Sequence, residues 1–369
     1  MFTNIDDSLQ RLKIFYGGKK TDYFFLKARI ILNLFFKGKI SIRKLLNVFI
    51  CFYSYLFKLN KSGKTPIIID IELSNHCNER CVFCRDVKGN IYDINKSSGS
   101  EYIQKGILDF NIYKKIVEEV KHNTLLIIPY VNGEPFIYKH IDKVLNLLKI
   151  NKMGSMLSSN GLLLDDKNIE IILREDLDQI KVHVSGFTNE IHQIQHKLGD
   201  VELIKSNLTK LSKKIKEYKS NLIVLVDYIL YKHNKHELEE FRSFTNNLGF
   251  NFNIRPGNPK GMEDSEDPQP EVSAINIPCE WLWKVMTINW NADLLPCCEY
   301  VTWGKSYGLA RLVEDADNKI EDKIQPTESI IETWNGTNMI NMRKIHKNKG
   351  RAPIPICAGC NKVGVGYKY

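Results

Sequence analysis

From Pro66 onward the chain alternates short β-branched runs with stretches whose apolar residues recur at helical spacing. The runs PIIIDIEL, TLLIIPYV, KMGSMLSS, DQIKVHVSG, NLIVLVDYILY and FNFNIRP read as six buried strands. Between them, FNIYKKIVEEVKHN, FIYKHIDKVLNLLKIN, DKNIEIILRED, the stretch from Asn189 to Tyr218 and KHELEEFRSFTNNLG read as helices. This order predicts an α/β fold with a parallel sheet and right-handed crossovers. Six units suit an incomplete, TIM-like (βα)6 barrel better than a closed ring of eight. In such barrels the chemistry collects where strands end and loops begin.

Ahead of the barrel, DYFFLKARIILNLFFKGK and SIRKLLNVFICFYSYLFKLNK predict two helices joined near Gly38. Ile42, Leu45, Leu46, Phe49, Tyr53, Leu56 and Phe57 share one helical face. The run from Leu45 to Phe57 is thirteen residues long, interrupted by Asn47 and Ser54, against the roughly 20 that a bilayer span needs. The favoured expectation is therefore a helical arm, residues 1–65, that packs on the main domain. The alternative is peripheral contact with an anionic membrane or a partner protein.

Charge sharpens that alternative. The net charge is +9, and residues 1–66 carry thirteen Lys/Arg against three acids, so the arm holds +10 and the remainder −1. The basic residues flank apolar ones instead of forming a stripe, which argues against a nucleic-acid partner. Nine cysteines in 369 residues is a low density. They cluster, and no signal-peptide pattern opens the sequence, so a reducing, cytoplasmic setting is expected.

After Pro256 the periodicity stops. GNPKGMEDSEDPQPEVSAINIP reads as a linker, which divides a barrel at 66–258 from a small α+β domain at 279–369, with 259–278 between them.

The candidate chemistry sits at the strand ends. IELSNHCNERCVFCRD follows the first strand with cysteines at C-x3-C-x2-C. Four thiolates close the coordination of zinc or of an iron-sulfur cluster, whereas three on a [4Fe-4S] cluster leave one iron open to an outside ligand. Zinc completed by His76 is the weaker option, because His76 adjoins Cys77 and adjacent side chains rarely reach one metal. NGEP, from Asn132 to Pro135, follows the second strand, SSNG, from Ser158 to Gly161, the third, and Ser185–Gly186 the fourth.

CNERCVFC after a strand, with NGEP after the next, resembles the radical S-adenosylmethionine (radical SAM) enzymes. The resemblance implies that Cys77, Cys81 and Cys84 ligate a [4Fe-4S] cluster whose open iron takes the amino and carboxylate groups of S-adenosylmethionine. It places Phe83 against the adenine. It gives Gly133, Glu134 and Pro135 to the methionine amino group, with Asn132 standing where many members have Gly. Ser158 and Asn160 would face the same site, and Ser185 and Asn234 would contact the cofactor's carboxylate or ribose. Elementary chemistry agrees, since an ammonium needs a carboxylate or another acceptor and glycine lets backbone approach a ligand closely. The implied activity is reductive cleavage of the cofactor to a 5′-deoxyadenosyl radical, which abstracts hydrogen from a substrate C–H bond. An electron donor such as flavodoxin or ferredoxin is expected with it.

Further on, CEWLWKVMTINWNADLLPCCEY and PICAGC set Cys279, Cys297, Cys357 and Cys360 at C-x17-C-x59-C-x2-C. Spacing alone permits zinc or iron-sulfur. The segment is similar to the SPASM/twitch extension of radical SAM enzymes. WNADLLPCC matches its hairpin, with Ala292 where the family usually has Gly, and IIETWNGTNMINMRK matches its helix. That resemblance implies one auxiliary [4Fe-4S] cluster, with Cys297 preferred to Cys298, while Cys51 is read as a packing residue. Single-cluster relatives include a cyclitol dehydrogenase, and two-cluster relatives include peptide-modifying enzymes. With no recognisable peptide-binding winged helix near the N-terminus, a sugar, cyclitol or nucleotide conjugate is the favoured substrate and a peptide the runner-up. A non-catalytic electron carrier is the third reading, disfavoured by NGEP. No substrate-side catalytic residue is legible.

Overall fold

A computed structural model describes residues 20–93, 102–257, 276–302, 309–312, 326–327, 329–358 and 360. The first nineteen residues of the arm, most of the linker and the final NKVGVGYKY lie outside the described residues. The arm forms α1 (Lys20–Phe36) and α2 (Ile42–Leu56). The barrel follows as β1 (Ile68–Ile71), α3 (Phe110–Val120), β2 (Leu126–Ile128), α4 (Ile141–Ile150), β3 (Gly154–Ser159), α5 (Asp166–Arg174), β4 (Gln179–Val184), α6 (Asn189–Gln195), α7 (Val201–Glu217), β5 (Ile223–Leu230), α8 (Leu238–Asn247) and β6 (Asn251–Pro256). The C-terminal region contributes β7 (Val285–Ile288), β8 (Asp293–Leu295), β9 (Ala310–Leu312), β10 (Pro326–Thr327), α9 (Ile330–Trp334) and α10 (Thr337–Lys349).

The six barrel strands run parallel in the order β6-β5-β4-β3-β2-β1. Their alternation separates two faces. Ile69, Ile71, Ile180, Val182, Val224 and Val226 join the helices in one apolar core, while the intervening residues turn to the lumen.

The C-terminal region is less separate than the linker suggested. Its strand β7 pairs parallel with β1, Ile68 opposite Val285 and Ile71 opposite Ile288, so one ten-stranded sheet runs through both regions. The expected helix from Asn189 to Tyr218 is also divided. His196–Lys197 leaves the helix to pair antiparallel with Arg80–Cys81 in the cysteine loop. Leu198 takes a positive φ of 66°, and Asp200 then caps α7, its Oδ1 accepting from the N–H groups of Glu202 and Leu203.

The arm closes the floor of the barrel, at the N-terminal ends of the strands. Leu26 and Ile30 pack on Ile223 and Leu225 at the start of β5. Lys39 Nζ meets Asp178 Oδ2 at 2.8 Å, just before β4, with both side chains buried. Removing one partner of such a pair typically costs about 3–5 kcal/mol. Helix α2 meets the domain on its polar side: Lys44, Asn47, Cys51 and Ser54 are buried. All seven residues of its apolar stripe, from Ile42 to Phe57, are exposed, Phe49 by 67% and Leu56 by 71%. The arm thus packs on the domain through the polar side of α2, because polar partners there outcompete the apolar stripe. Cys51 packs in the buried side, as expected, with its thiol 3.6 Å from the Thr65 carbonyl oxygen. Among the described residues no helix is long and apolar enough to cross a membrane.

Candidate active site

The cysteine loop leaves β1 and is tied down by backbone contacts. Arg85, buried directly after Cys84, donates from one guanidinium nitrogen to the Asn75 carbonyl at 2.6 Å and to the Asn132 carbonyl at 3.0 Å. The Glu134 N–H donates to the His76 carbonyl at 2.8 Å. NGEP therefore lies directly on the lead into the cysteines. A Cβ at Gly133 would collide with the Ser74 carbonyl oxygen, so only glycine allows this approach. His76 is turned away, its Nδ1 3.0 Å from Ser74 Oγ.

Glu134 is buried and held as an acceptor. Ser159 Oγ donates to its Oε1 at 2.9 Å and the Asn160 N–H to its Oε2 at 2.9 Å. Burial outweighs these bonds and pushes the carboxyl up to about 7, so it is poised to take its charge from a cationic partner. The Asn160 side chain donates to Asn78 Oδ1 at 2.8 Å, joining the third loop to the first.

The cysteine thiols are crowded, and those of Cys77 and Cys81 are desolvated. Burial, then the Glu134 charge, pushes Cys77 up to about 12, and burial with Glu79 pushes Cys81 far above its usual value. Cys77 and Cys84 both act on Cys81 electrostatically. Thiolates so placed are unfavourable until a metal replaces their protons, so this donor set fits a cluster. Beneath it, His196 Nδ1 reaches Cys81 Sγ at 3.4 Å and Glu79 Oε2 at 2.9 Å. The His192 ring stacks on His196 at 4.5 Å.

The remaining predicted residues divide. Phe83 is half-buried in the turn between Cys81 and Cys84. Ser185 is buried at the rim, its Oγ without a hydrogen-bond partner among the described residues. Asn234 lies beside it: its amide donates to the Ser185 and Ile229 carbonyls and accepts the Tyr231 N–H. Two of these bonds stay within the turn after β5, and the third joins that turn to the loop after β4.

Ser158 points into the lumen, where sequence reasoning marked nothing else. Its Oγ lies 2.5 Å from His183 Nε2, and His183 Nδ1 lies 3.2 Å from Asp227 Oδ2. Arg255 Nε meets the same carboxylate oxygen at 2.9 Å, and Asn253 donates to Asp227 Oδ1 at 2.6 Å. Burial lowers His183 to about 4 and the neighbouring Lys181 to about 7. Asp227 stays ionised against burial, held well below the usual carboxylate range by the His183 hydrogen bond and the Arg255 guanidinium. The signal was present as polar residues at alternate positions of QIKVHV and NFNIR and as the lone Asp227 in IVLVDYIL.

In the C-terminal region Cys297 feels Cys279 and Cys357, Cys357 feels Cys279 and Cys360, and burial raises all three of the first-named. Cys279, Cys297 and Cys357 all act electrostatically on the Tyr300 phenol. This donor set also fits a four-thiolate cluster. Val131, one residue before NGEP, packs with Cys297 against Leu295, Tyr300, Val301 and Ile356, which brings the second cysteine group up to the first site.

The family model described as Radical SAM superfamily matches residues 71–245, and that described as Iron-sulfur cluster-binding domain, SPASM, matches residues 279–361. GTP 3′,8-cyclase of Clostridium botulinum strain Okra is 25% identical over 193 residues, covering 51% of this chain and 55% of that protein. The chain thus spans about half the length of the curated relatives it matches. Among solved structures, Streptococcus suis SuiB bound to precursor peptide SuiA superposes with a TM-score of 0.55 at 14% identity, covering 76% of this chain and 66% of that one. BtrN in complex with AdoMet and 2-DOIA gives 0.50 at 17% identity, covering 82% and 97%. At these identities the structural likenesses speak for the fold.

Proposed function

Since the chain belongs to the radical SAM superfamily, whose members are enzymes, and carries a C-terminal SPASM-type iron-sulfur domain, we propose that it modifies a C–H bond of a small polar metabolite held in the barrel lumen. The bound cofactors, a [4Fe-4S] cluster with S-adenosylmethionine and an auxiliary cluster, supply reductive cleavage and removal of a hydrogen atom from an unactivated carbon. Cys77, Cys81 and Cys84 would hold the first cluster, and Cys279, Cys297, Cys357 and Cys360 the second. Glu134 and the Gly133 backbone would receive the cofactor's ammonium, and the Ser185 hydroxyl would meet its carboxylate or ribose.

The observation that carries the substrate class is the chain Ser158–His183–Asp227 in the lumen. Burial keeps His183 neutral at ordinary pH, while Asp227 orients its Nδ1–H and leaves Nε2 as the acceptor toward Ser158 Oγ. A hydroxyl whose carbon loses hydrogen must also shed its proton, and this relay can accept it. Lys181, Asn253 and Arg255 add polar contacts suited to a sugar, cyclitol or nucleotide conjugate. The GTP substrate in the name of one relative and the 2-DOIA bound to BtrN support a small molecule. A peptide side chain is the second reading, supported by the SuiB complex. A flavodoxin or ferredoxin would serve as electron donor.

The test is anaerobic reconstitution with iron, sulfide, dithionite and S-adenosylmethionine, with 5′-deoxyadenosine as the readout, followed by product analysis on candidate metabolites. His183→Gln should leave 5′-deoxyadenosine formation intact and suppress product. Wild-type protein that forms no 5′-deoxyadenosine would return the electron-carrier reading.

A further inference from the structure

The apolar surface of the arm is built outward on purpose. Helix α2 is amphipathic, yet its polar side faces the protein, where Lys44 and Asn47 find partners. Lys44 Nζ donates to the Lys39 and Lys152 carbonyls at 3.1 and 2.6 Å. The Asn47 amide donates to the Thr65 and Asn123 carbonyls at 3.0 and 3.2 Å. Rotating the helix to bury its aromatic side would strand these groups. The outward stripe is therefore specified by the fold, and it continues across the hairpin onto α1, where Phe35 and Phe36 are exposed as well.

We propose that this face docks on an anionic lipid bilayer. Contiguous exposed apolar patches of this extent mark interaction surfaces, and charge selects the partner. Between residues 23 and 69 there is no acid, while Arg29, Arg43, Lys61 and Lys64 are exposed around the stripe. Two such cationic faces would repel one another, which disfavours self-association, whereas apolar residues ringed by Lys and Arg match the interfacial region of a membrane with negative headgroups. The hairpin lies on the floor of the barrel and the cysteine loop at its opposite end. Docking thus leaves the mouth of the candidate active site unobstructed, and the inference does not depend on which substrate enters there.

The experiment is co-sedimentation of the full chain, clusters loaded, with phosphatidylglycerol-containing vesicles and with pure phosphatidylcholine vesicles. The protein should sediment with the first, weakly with the second, and be released in about 1 M salt, where the Debye length is ~3 Å. Leu46→Glu with Phe49→Glu and Leu56→Glu should weaken binding by roughly tenfold or more, with cluster absorbance unchanged. If that variant fails to accumulate, Phe49→Cys carrying an environment-sensitive dye should blue-shift on anionic vesicles only. A chain that ignores both vesicle types overturns the inference. So does one whose light scattering shows a dimer that those substitutions disperse, because the face would then be an interface between copies.

Discussion

The imidazole Nδ1 of His196 lies 3.4 Å from the sulfur of Cys81, across 115 residues of sequence. Glu79 Oε2 shares the same nitrogen at 2.9 Å. With Cys81 as a thiolate both neighbours are acceptors, so Nδ1 must carry the proton. A donor aimed at a cluster sulfur raises its reduction potential. His196→Phe should keep its iron and shift the first cluster to a lower potential in a titration followed by electron paramagnetic resonance. An unchanged potential would reduce His196 to a packing residue.

Metal content separates the two cysteine groups. Reconstituted protein should bind about eight irons, and Cys77→Ala with Cys81→Ala and Cys84→Ala should remove about half of them, at four per cluster. Cleavage of S-adenosylmethionine should disappear together with that half. Zinc in anaerobically purified protein, or cleavage that survives the triple change, would end the open-iron reading.

Glu134 gives a pH dependence with a definite sign. Its carboxyl is raised to about 7 in the fold, from an ordinary value of 4.5. Across that window the folded chain keeps a proton that the unfolded chain has released. Stability therefore falls as pH rises from about 4.5 to 7, by on the order of 3 kcal/mol. Glu134→Gln should flatten this slope in denaturant titrations and weaken S-adenosylmethionine binding at neutral pH. Binding to the wild type should tighten as pH rises through 7, because the ammonium meets a carboxylate only then.

For the second cysteine group, Cys357→Ala with Cys360→Ala should leave cofactor cleavage measurable and largely abolish formation of an oxidised product. A substrate that has lost a hydrogen atom still needs a one-electron acceptor. Cys297→Ala should do far more harm than Cys298→Ala, since the buried Cys297 thiol interacts with both Cys279 and Cys357. Normal turnover by the double variant would make this group structural, and a redox-neutral product would remove the need for an acceptor.

Ala292 occupies a left-handed conformation, φ +67°, in the hairpin between β7 and β8. A Cβ is disfavoured there. Ala292→Gly should therefore raise stability, by up to about 1 kcal/mol after the extra entropy of glycine in the unfolded chain is subtracted, read as a shift in denaturation midpoint.

The strands and the cysteine loop were legible because alternation and local spacing are short-range properties. PIIIDIEL and C-x3-C-x2-C carry their meaning within a dozen residues. The lumen was not, since Lys181, His183 and Asp227 each interrupt an apolar run and acquire a role only when neighbouring strands align them, as His183 opposite Asp227. Ser158 and Ser159 show the same limit at the scale of one residue. Adjacent in sequence, they fall on opposite sides of the pleat, one toward His183 and the other toward Glu134. For α2, periodicity identified which residues share a side, but which side meets the protein depended on Thr65, Asn123 and Lys152, none of them in the helix.

The pairing of β7 with β1 also bears on how the chain can be cut. Without β7, the backbone of Ile68–Ile71 would become an open edge in which Asp70 is the one charged residue among three isoleucines. Residues 66–258 are a barrel by topology but lack their own border. Expressed alone they should recruit strands from neighbouring molecules and aggregate, which makes the C-terminal region a built-in guard against self-association as well as a holder of metal.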